Sequence, residues 1–183
     1  MTAAEIVALA RSRPATLGAG RLLCVDGPAG AGKTTLAAAL GSSLDAPVIH
    51  LDDLYEGWAG IEAGRDALEH LLRDLATGSE ASYRRFDWHA YAYAEQVAVP
   101  SGPWLVVEGC GSWSARWADL VTTLVWVEAP PDLCLERGIA RDGETMREQW
   151  LEWQHTQAEV FAAEHTRQRA DFVHSSTDRI SRT

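Results

Sequence analysis

The chain has 183 residues, a formal net charge of −10 and a 46% share of hydrophobic residues. This length favours one domain with a full core, and the lack of a basic block argues against a nucleic-acid partner. No apolar run is long enough to cross a bilayer, so we expect no membrane partner. The three cysteines are scattered without a C-x-x-C pair, which predicts a reduced, cytoplasmic protein.

A peripheral helix is predicted within the first twenty residues. Residues 2–13 place Ile6, Leu9 and Ala10 on one side of a helix, and Pro14 ends the pattern. The stretch lacks the long apolar centre of a signal peptide. We expect this helix to lead into the core without contributing to chemistry.

A phosphate-binding motif follows the first predicted strand. Residues 27–34 read Gly-Pro-Ala-Gly-Ala-Gly-Lys-Thr and match G-x-x-x-x-G-K-[ST] without a gap. An apolar strand over residues 21–26 precedes the motif and a helix to about Leu44 follows it, which is the context in which this motif binds phosphates. Glycines let the main-chain N–H groups surround an anion, and the helix dipole adds positive potential. The alternative is a glycine-rich turn with a chance Lys-Thr pair.

This motif predicts a site for a nucleoside triphosphate with Mg²⁺. Lys33 would reach the β- and γ-phosphates, and the Thr34 hydroxyl would bind Mg²⁺. The predicted phosphate-binding set consists of Gly27, Ala29, Gly30, Ala31, Gly32, Lys33, Thr34 and Thr35.

Two aspartates follow the second predicted strand. Residues 46–51 read as a strand, and Asp52 and Asp53 come directly after it. Ligands bind at the carboxyl edge of open α/β sheets, so the position favours a chemical role for these carboxylates. The alternative is a solvated turn, since aspartate is common in turns.

The middle of the chain predicts a helix and then an aromatic stretch. The helix covers residues 66–77, with Asp66 and Glu69 forming a capping pattern at its start and Gly78 ending it. Residues 79–100 mix aromatic and charged side chains. This stretch predicts either a flap that faces the substrate or a surface hairpin held together by its aromatic residues.

An acidic residue ends the next buried strand. Residues 104–108 are apolar except for Glu108 at the tip, and a further buried strand covers residues 122–128. An acid that neighbours a phosphate loop can hold Mg²⁺ directly or through water. Glu108 is therefore predicted to be a metal ligand.

Two arginines share one face of the helix that follows. This helix begins at a pair of prolines at residue 130, and Arg137 and Arg141 lie four residues apart. The pair could clamp a phosphate during its transfer. The alternative is a solvated face on which the arginines pair with Glu136 and Asp142.

The last part of the chain predicts a long helix and a short strand. The helix covers residues 144–165, the strand covers residues 170–174, and a loose polar tail covers residues 175–183. The stripe expected to face the core consists of Met146, Trp150, Trp153, Gln157, Val160 and Phe161.

Residues 22–174 resemble the uridine kinase and phosphoribulokinase branch of the P-loop kinases. Besides the phosphate loop, Asp52-Asp53-Leu54-Tyr55 is similar to that family's Asp-x-Phe-Tyr segment. Val106-Val107-Glu108-Gly109 is similar to its Glu-Gly strand end. Residues 137–142 are similar to its lid sequence Arg-Arg-x-x-Arg-Asp, with Gly138 in place of the second arginine.

We predict a three-layer α/β fold with a five-stranded parallel sheet and helices on both faces. The resemblance implies the strand order 2-3-1-4-5. We predict a single domain over residues 1–183 with three named parts. These parts are a peripheral helix at 1–20, a substrate-side flap at 79–100 and a lid at 130–147.

The resemblance also implies transfer of the γ-phosphoryl group of ATP to a hydroxyl of a small acceptor, with a nucleoside as the first expectation. Asp52 would be the catalytic base, with Asp53 as the alternative, and Lys33, Arg137 and Arg141 would be catalytic. Mg²⁺ would be held by Thr34, Glu108 and Asp52. The acceptor pocket would contain Asp53, Tyr55, Tyr83, Arg85, Trp88 and His89.

Two other functions remain open at this point. The acceptor could be a sugar, a vitamin precursor or an antibiotic instead of a nucleoside. The protein could also be a non-catalytic nucleotide-binding switch. We expect a monomer or a homodimer.

Overall fold

This computed structural model describes residues 2–177, which contain six α-helices, seven strands and four short 3₁₀ helices. The helices are α1 Ala3–Ser12, α2 Lys33–Leu44, α3 Ile61–Thr77, α4 Pro131–Asp142, α5 Arg147–Glu164 and α6 Thr166–Arg169. The strands are β1 Arg21–Asp26, β2 Val48–His50, β3 Ala81–Asp87, β4 Ala92–Val99, β5 Trp104–Glu108, β6 Val121–Glu128 and β7 Phe172–Ser175. Within these residues, every helix is too short or too polar to span a membrane.

A parallel sheet of five strands forms the centre of the fold. Its order is β2-β5-β1-β6-β7, which is 2-3-1-4-5 when these five strands alone are numbered along the chain. The predicted fold class and strand order are therefore confirmed. In the pairing of β1 with β5, Arg21 lies beside Trp104 and Val25 lies beside Glu108. Because β1 and β5 end side by side, the phosphate loop and Glu108 are neighbours.

Helices cover both faces of this sheet, which explains why β1, β5 and β6 are apolar almost throughout. One face packs on α3 and α5, with Leu68, Leu72 and Trp153 in its core. The other face packs on α1 and α2, with Ile6 and Leu40 in its core. The predicted peripheral helix is therefore seated against the sheet by its apolar side.

The start of α3 differs from the prediction. The helix begins at Ile61 after Gly60, so Asp66 lies within it and caps nothing. Buried residues extend the apolar stripe toward the amino end, and this packing overrides the local capping pattern. Asp66 and Glu69 both pair with Arg116 instead. The predicted end at Gly78 is confirmed, because Gly78 adopts the left-handed conformation with φ of 78°.

Other boundaries also shift. The second strand covers only Val48–His50, because the chain winds into a 3₁₀ turn at Leu51–Asp53. The long helix opens with a 3₁₀ turn at Glu144–Met146. The last strand includes Ser175, which was assigned to the tail, and residues 178–183 of that tail lie outside the described residues.

Residues 79–100 form an antiparallel hairpin of β3 and β4, separate from the main sheet. The hairpin packs on the 3₁₀ turn that carries the two aspartates. Trp88 Nε1 donates to the carbonyl oxygen of Asp52 at 2.8 Å, and the Tyr83 hydroxyl donates to Asp53 at 3.4 Å. The hairpin therefore stands beside the predicted base, and its role as a flap stays a prediction.

Candidate functional site

A cleft at the carboxyl edge of the sheet brings the predicted catalytic side chains together. Its cavity has a volume of about 210 Å³. The cavity is lined by Ala29, Gly30, Gly32, Lys33, Thr34, Asp52, Glu108, Cys110, Arg137, Gly138, Arg141 and Trp150. The predicted base, the predicted metal ligands and both lid arginines thus face one space.

Three N–H groups of the phosphate loop are already bonded within the protein. The pairs are Gly27 to Asp26 Oδ1 at 2.7 Å, Ala29 to Gln157 Oε1 at 2.9 Å and Ala31 to Pro28 O at 3.1 Å. In this geometry Gly27, Ala29 and Ala31 hold the shape of the loop. Contrary to the prediction, they do not offer a free N–H group to phosphate.

Other N–H groups of the loop are available to an anion. Among the described residues, those of Gly30, Gly32 and Lys33 have no protein acceptor. Gly32 has a φ of 97° and no side chain caps the start of α2. A Cβ on Gly30 would lie 2.4 Å from the carbonyl oxygen of Cys134, so only glycine fits there. A loop of this kind at a helix start is an anion-binding site.

Lys33 is buried at the base of the cleft. Its Nζ donates to the carbonyl oxygen of Pro28 at 2.9 Å and lies 3.6 Å from Cys110 Sγ. Burial by itself would lower the pKa of the ammonium, but the acidic groups around it, including Glu108 and Asp52, raise that pKa above its ordinary value. Lys33 is therefore a charged group held beneath the loop.

Glu108 connects the loop to the second strand. Thr34 donates its hydroxyl hydrogen to Glu108 Oε1 at 3.0 Å, and His50 Nδ1 lies 2.6 Å from the same oxygen. Burial would raise the pKa of Glu108, but His50 and Lys33 hold it below its ordinary value. The same contact raises the pKa of His50. The sequence analysis did not assign His50 to the site, although a polar residue at the end of a strand, two positions before Asp52, could have indicated it.

The donor groups fit a Mg²⁺ ion that arrives with nucleotide phosphates. Among the described residues, no three acidic, histidine or cysteine side chains form a cluster that could hold a metal alone. The Thr34 hydroxyl and the carboxylates of Glu108 and Asp52 line one cavity. Mg²⁺ is commonly held by one or two carboxylates together with phosphates and water. The chemistry of this set therefore matches the predicted ligands.

The 3₁₀ turn after β2 directs the side chains of the two aspartates to different surroundings. Asp52 opens onto the cleft, whereas Asp53 is half-buried against the hairpin beside Tyr83. The enclosing walls of the cleft raise the pKa of Asp52, while Lys33 and Arg141 act to lower it. Burial raises the pKa of Asp53 as well, so position in the cleft, and not pKa, distinguishes the two carboxylates. The geometry favours Asp52 over Asp53 as the base.

The two lid arginines make different contacts. Arg137 Nη1 donates to the carbonyl oxygen of Gly30 and to Ser176 Oγ, both at 3.0 Å. Arg141 pairs twice with the carboxylate of Asp142, at 2.7 and 3.0 Å. The alternative pairing with Asp142 is therefore present for Arg141, although both arginines also line the cavity.

Tyr55 is a correction to the predicted acceptor pocket. It is fully buried, its hydroxyl donates to the carbonyl oxygen of Cys110 at 2.6 Å, and its ring packs on Trp153 at 5.1 Å. The ring fills space beside Gly64 of α3. Tyr55 is thus a core residue that supports the turn carrying Asp52, and no acceptor can reach it in this geometry.

The hairpin residues of the predicted pocket do not converge on the cavity. Arg85 pairs with Glu95 at 2.8 Å, and His89 lies in the exposed turn of the hairpin. Trp88 contacts Trp58 and Phe86 with ring centroids 5.4 and 5.8 Å apart. Of this part of the predicted set, Tyr83 and Trp88 reach the aspartate turn.

Three buried groups beneath the loop were not predicted as part of the site. Asp26 accepts N–H bonds from Gly27, Gly111 and Trp113, and burial raises the pKa of Asp26 to about 6. Cys110 donates to Gln157 Oε1 at 3.2 Å, and burial raises the pKa of Cys110 to about 11, so it is a neutral thiol. Asp26, Cys110 and Gln157 position the loop, and no sequence motif predicts that role.

Two solved structures share this architecture. A possible uridine kinase from Bacillus stearothermophilus is 21% identical, with a TM-score of 0.63, and the match covers 94% of this chain and 98% of that one. A protein from Silicibacter sp. TM1040, provisionally named a fructose transport system kinase, is 20% identical with a TM-score of 0.70 over the same shares. No protein-family model and no curated protein matches the sequence. The chain therefore shares the fold of these two structures.

Proposed function

We propose that this chain is an ATP-dependent kinase that transfers the γ-phosphoryl group to a hydroxyl of a small molecule. The observation that carries the proposal is the position of Asp52 in the same cavity as Lys33, Thr34 and the lid arginines. A phosphate loop alone would serve many nucleotide-binding proteins. A carboxylate that faces the loop across the cleft is the group that an alcohol acceptor requires.

The residues of the cleft have separate roles in phosphoryl transfer. The free N–H groups of Gly30 and Gly32 hold the phosphates together with Lys33, and Asp52 accepts the proton of the attacking hydroxyl. Arg137 and Arg141 offset the negative charge on the transferred group. Thr34 and Glu108, with Asp52 nearby, would hold Mg²⁺, which supplies charge neutralisation when bound.

We propose a nucleoside as the first acceptor to test and a sugar as the second. The structure named a possible uridine kinase favours the nucleoside, whereas the higher TM-score of the structure provisionally named a fructose transport system kinase favours the sugar. In this proposal residues 79–100 act as the acceptor-side flap and residues 130–147 as the lid of one domain. Vitamin precursors and hydroxyl-bearing antibiotics complete the set of acceptors.

We further propose that the protein works in the cytoplasm as a monomer or homodimer, without nucleic-acid or membrane partners. Its three cysteines are free and buried, which suits a reducing compartment. Its acidic net charge of −10 opposes binding to nucleic acid.

An ADP-release assay over a panel of acceptors tests this function. One acceptor class should stimulate ADP release, and the product should carry the phosphate on a hydroxyl. Asp52→Asn should abolish the stimulation while ATP still binds. Tight ATP binding without stimulation by any acceptor would instead support the nucleotide-binding switch, and no ATP binding would refute both functions.

A further inference from the structure

Trp150 of α5 is buried, as its spacing predicts, and it also forms one wall of the cleft. The side chain is 2% exposed, and it lines the cavity opposite the phosphate loop. A Cβ on Gly138 would lie 2.4 Å from Cε2 and Cζ2 of the indole. Glycine at position 138, where the similar lid sequence has an arginine, therefore leaves the space that the indole fills.

The indole is bonded to the partner of a lid arginine. Trp150 Nε1 donates to Asp142 Oδ2 at 2.9 Å. The same carboxylate accepts two bonds from Arg141, at 2.7 and 3.0 Å. The guanidinium carbon of Arg141 also lies 5.5 Å from the centre of the Trp150 ring. Trp150, Asp142 and Arg141 thus form a closed set of contacts at the edge of the cavity.

We propose that Trp150 and Asp142 are positioning residues that hold Arg141 toward the transferred phosphoryl group. The proposal rests on the kinase function proposed above. The Arg141 side chain is 66% exposed, and an exposed arginine must give up many rotamers when it binds a phosphate. Stacking on the indole and pairing with Asp142 restrict those rotamers in advance, and the indole keeps water from one side of the guanidinium.

Three of the five N–H donors of Arg141 remain for the substrate, two on Nη1 and one on Nη2. Asp142 accepts one N–H from Nε and one from Nη2, whereas Nη1 has no acceptor among residues 2–177. Asp142 therefore orients the guanidinium without using all of its donors. Arg137, the other lid arginine, donates to Gly30 and Ser176 and not to a carboxylate.

Nucleotide titration separates this role from a merely structural one. The affinities for ADP and for the ATP analogue AMP-PNP, each with Mg²⁺, are measured by calorimetry for wild type and Trp150→Phe. The variant keeps a ring but loses the bond to Asp142. AMP-PNP affinity should fall about tenfold, the size of one charge-assisted bond, while ADP affinity changes less than about twofold. In this proposal Arg141 contacts the γ-phosphate and no other phosphate, so equal losses for both nucleotides would refute it.

A double-mutant cycle tests whether Trp150 acts through Arg141. In an Arg141→Gln background, Trp150→Phe should change AMP-PNP affinity less than about twofold, because the group that it positions is absent. A loss of the same size in both backgrounds would overturn the proposal. Asp142→Asn should behave like Trp150→Phe, whereas a gain in AMP-PNP affinity would show that Asp142 competes with the phosphate and would also overturn it.

The chain contains a matched control outside the cleft. Trp126 Nε1 donates to Glu128 at 2.9 Å, and Glu128 pairs twice with Arg167, at 2.7 and 3.1 Å. Trp126→Phe removes the same kind of bond and should leave both affinities unchanged. Gly138→Ala displaces the indole by a second route and should reproduce the Trp150→Phe result.

Failure of the proposed function looks different from failure of the positioning role. If wild type binds neither nucleotide, the kinase proposal fails and the positioning role fails with it. If wild type binds both nucleotides and the cycle shows no coupling, the positioning role alone is refuted. Retained ADP binding in each variant reports that the variant is folded.

Discussion

At the scale of single residues, neighbouring side chains take opposite roles because of one turn. Asp52 and Asp53 are adjacent and chemically identical, but the 3₁₀ turn at Leu51–Asp53 directs Asp52 into the cleft and Asp53 to Tyr83. The hairpin fixes this arrangement through the bond from Trp88 to the Asp52 carbonyl. We therefore expect substitution of Asp52 to lower turnover far more than substitution of Asp53.

Asp52→Asn should lower turnover about a hundredfold or more, because the amide cannot accept the hydroxyl proton. Nucleotide affinity should change little, since the free N–H groups and Lys33 remain. Steady-state ADP release with the identified acceptor, together with nucleotide titration, measures both quantities. Asp53→Asn is the matched control and should retain most of the turnover; the reverse pattern would make Asp53 the base.

Asp26 gives stability a pH dependence that can be measured. Burial raises the pKa of Asp26 to about 6 from the ordinary 3.8, while three N–H bonds act in the opposite direction. Between about pH 4 and pH 6 the folded state therefore binds more protons at this site than the unfolded state. Its contribution to the free energy of unfolding decreases as the pH rises through this window and is constant above it.

We expect the difference in unfolding free energy between wild type and Asp26→Asn to decrease from about pH 4 to about pH 6. The asparagine has no titrating proton, so subtraction removes the contributions of the other carboxylates. Urea unfolding at several pH values provides the measurement. A difference that is flat over this range, or that increases with pH, would show that Asp26 is not the titrating group.

At the scale of elements, α3 supports the aspartate turn by close packing. A Cβ on Gly64 would lie 2.6 Å from Cδ1 of Tyr55, and Tyr55 is bonded to the loop after β5 through Cys110. The helix, the turn and that loop thus share one buried tyrosine. A side chain at position 64 would push the tyrosine and with it the turn that carries Asp52.

Gly64→Ala should lower the free energy of unfolding by about 1–3 kcal/mol, the usual cost of overpacking a core. The measurement is urea unfolding of the two proteins at the same pH. Gly102→Ala is the control, because a Cβ there has no neighbour within 4 Å. That variant should stay within about 0.5 kcal/mol of wild type. Equal stability of all three proteins would mean that Tyr55 is loosely packed.

At the scale of the whole molecule, α5 connects the parts of the cleft. Trp150 contacts the lid residue Asp142, Trp153 packs on Tyr55 beneath the aspartate turn, and Gln157 accepts the N–H of Ala29 in the phosphate loop. A ligand in the cleft would therefore stabilise contacts that reach across the sheet. Binding and global stability should be linked.

Mg²⁺–ATP at a hundred times its dissociation constant should raise the free energy of unfolding by about 2.7 kcal/mol, the value set by mass action. Lys33→Met should remove most of this increase at the same ligand concentration, because it deletes the charge beneath the loop. Denaturant unfolding with and without ligand measures the effect. Trp126→Phe, which lies outside the cleft, should retain the increase.

Patterns along the chain predicted the layers of the fold and the members of the cleft. The phosphate motif, the aspartates after the second strand and Glu108 at a strand tip all rely on one rule: parallel strands end at a common edge. β1 and β5 are short continuous apolar runs, and the glycine-rich motif marks the start of α2, so local residues already indicate these elements. The cleft in the structure contains Lys33, Thr34, Asp52, Glu108, Arg137 and Arg141, as the sequence analysis grouped them.

The tertiary structure decided which side chains face the cleft and what each one contacts. The family resemblance assigned Tyr55 to the acceptor pocket, but Tyr55 fills the core. Spacing assigned Trp150 to the core; this residue is buried as predicted, and it also lines the cleft. Likewise, the positions of His50, Cys110 and Gln157 around the loop depend on residues up to 128 positions apart in the chain. Periodicity along a segment specifies a buried face, whereas orientation within a cleft depends on how separate segments pack, and that information exists only once the chain has folded.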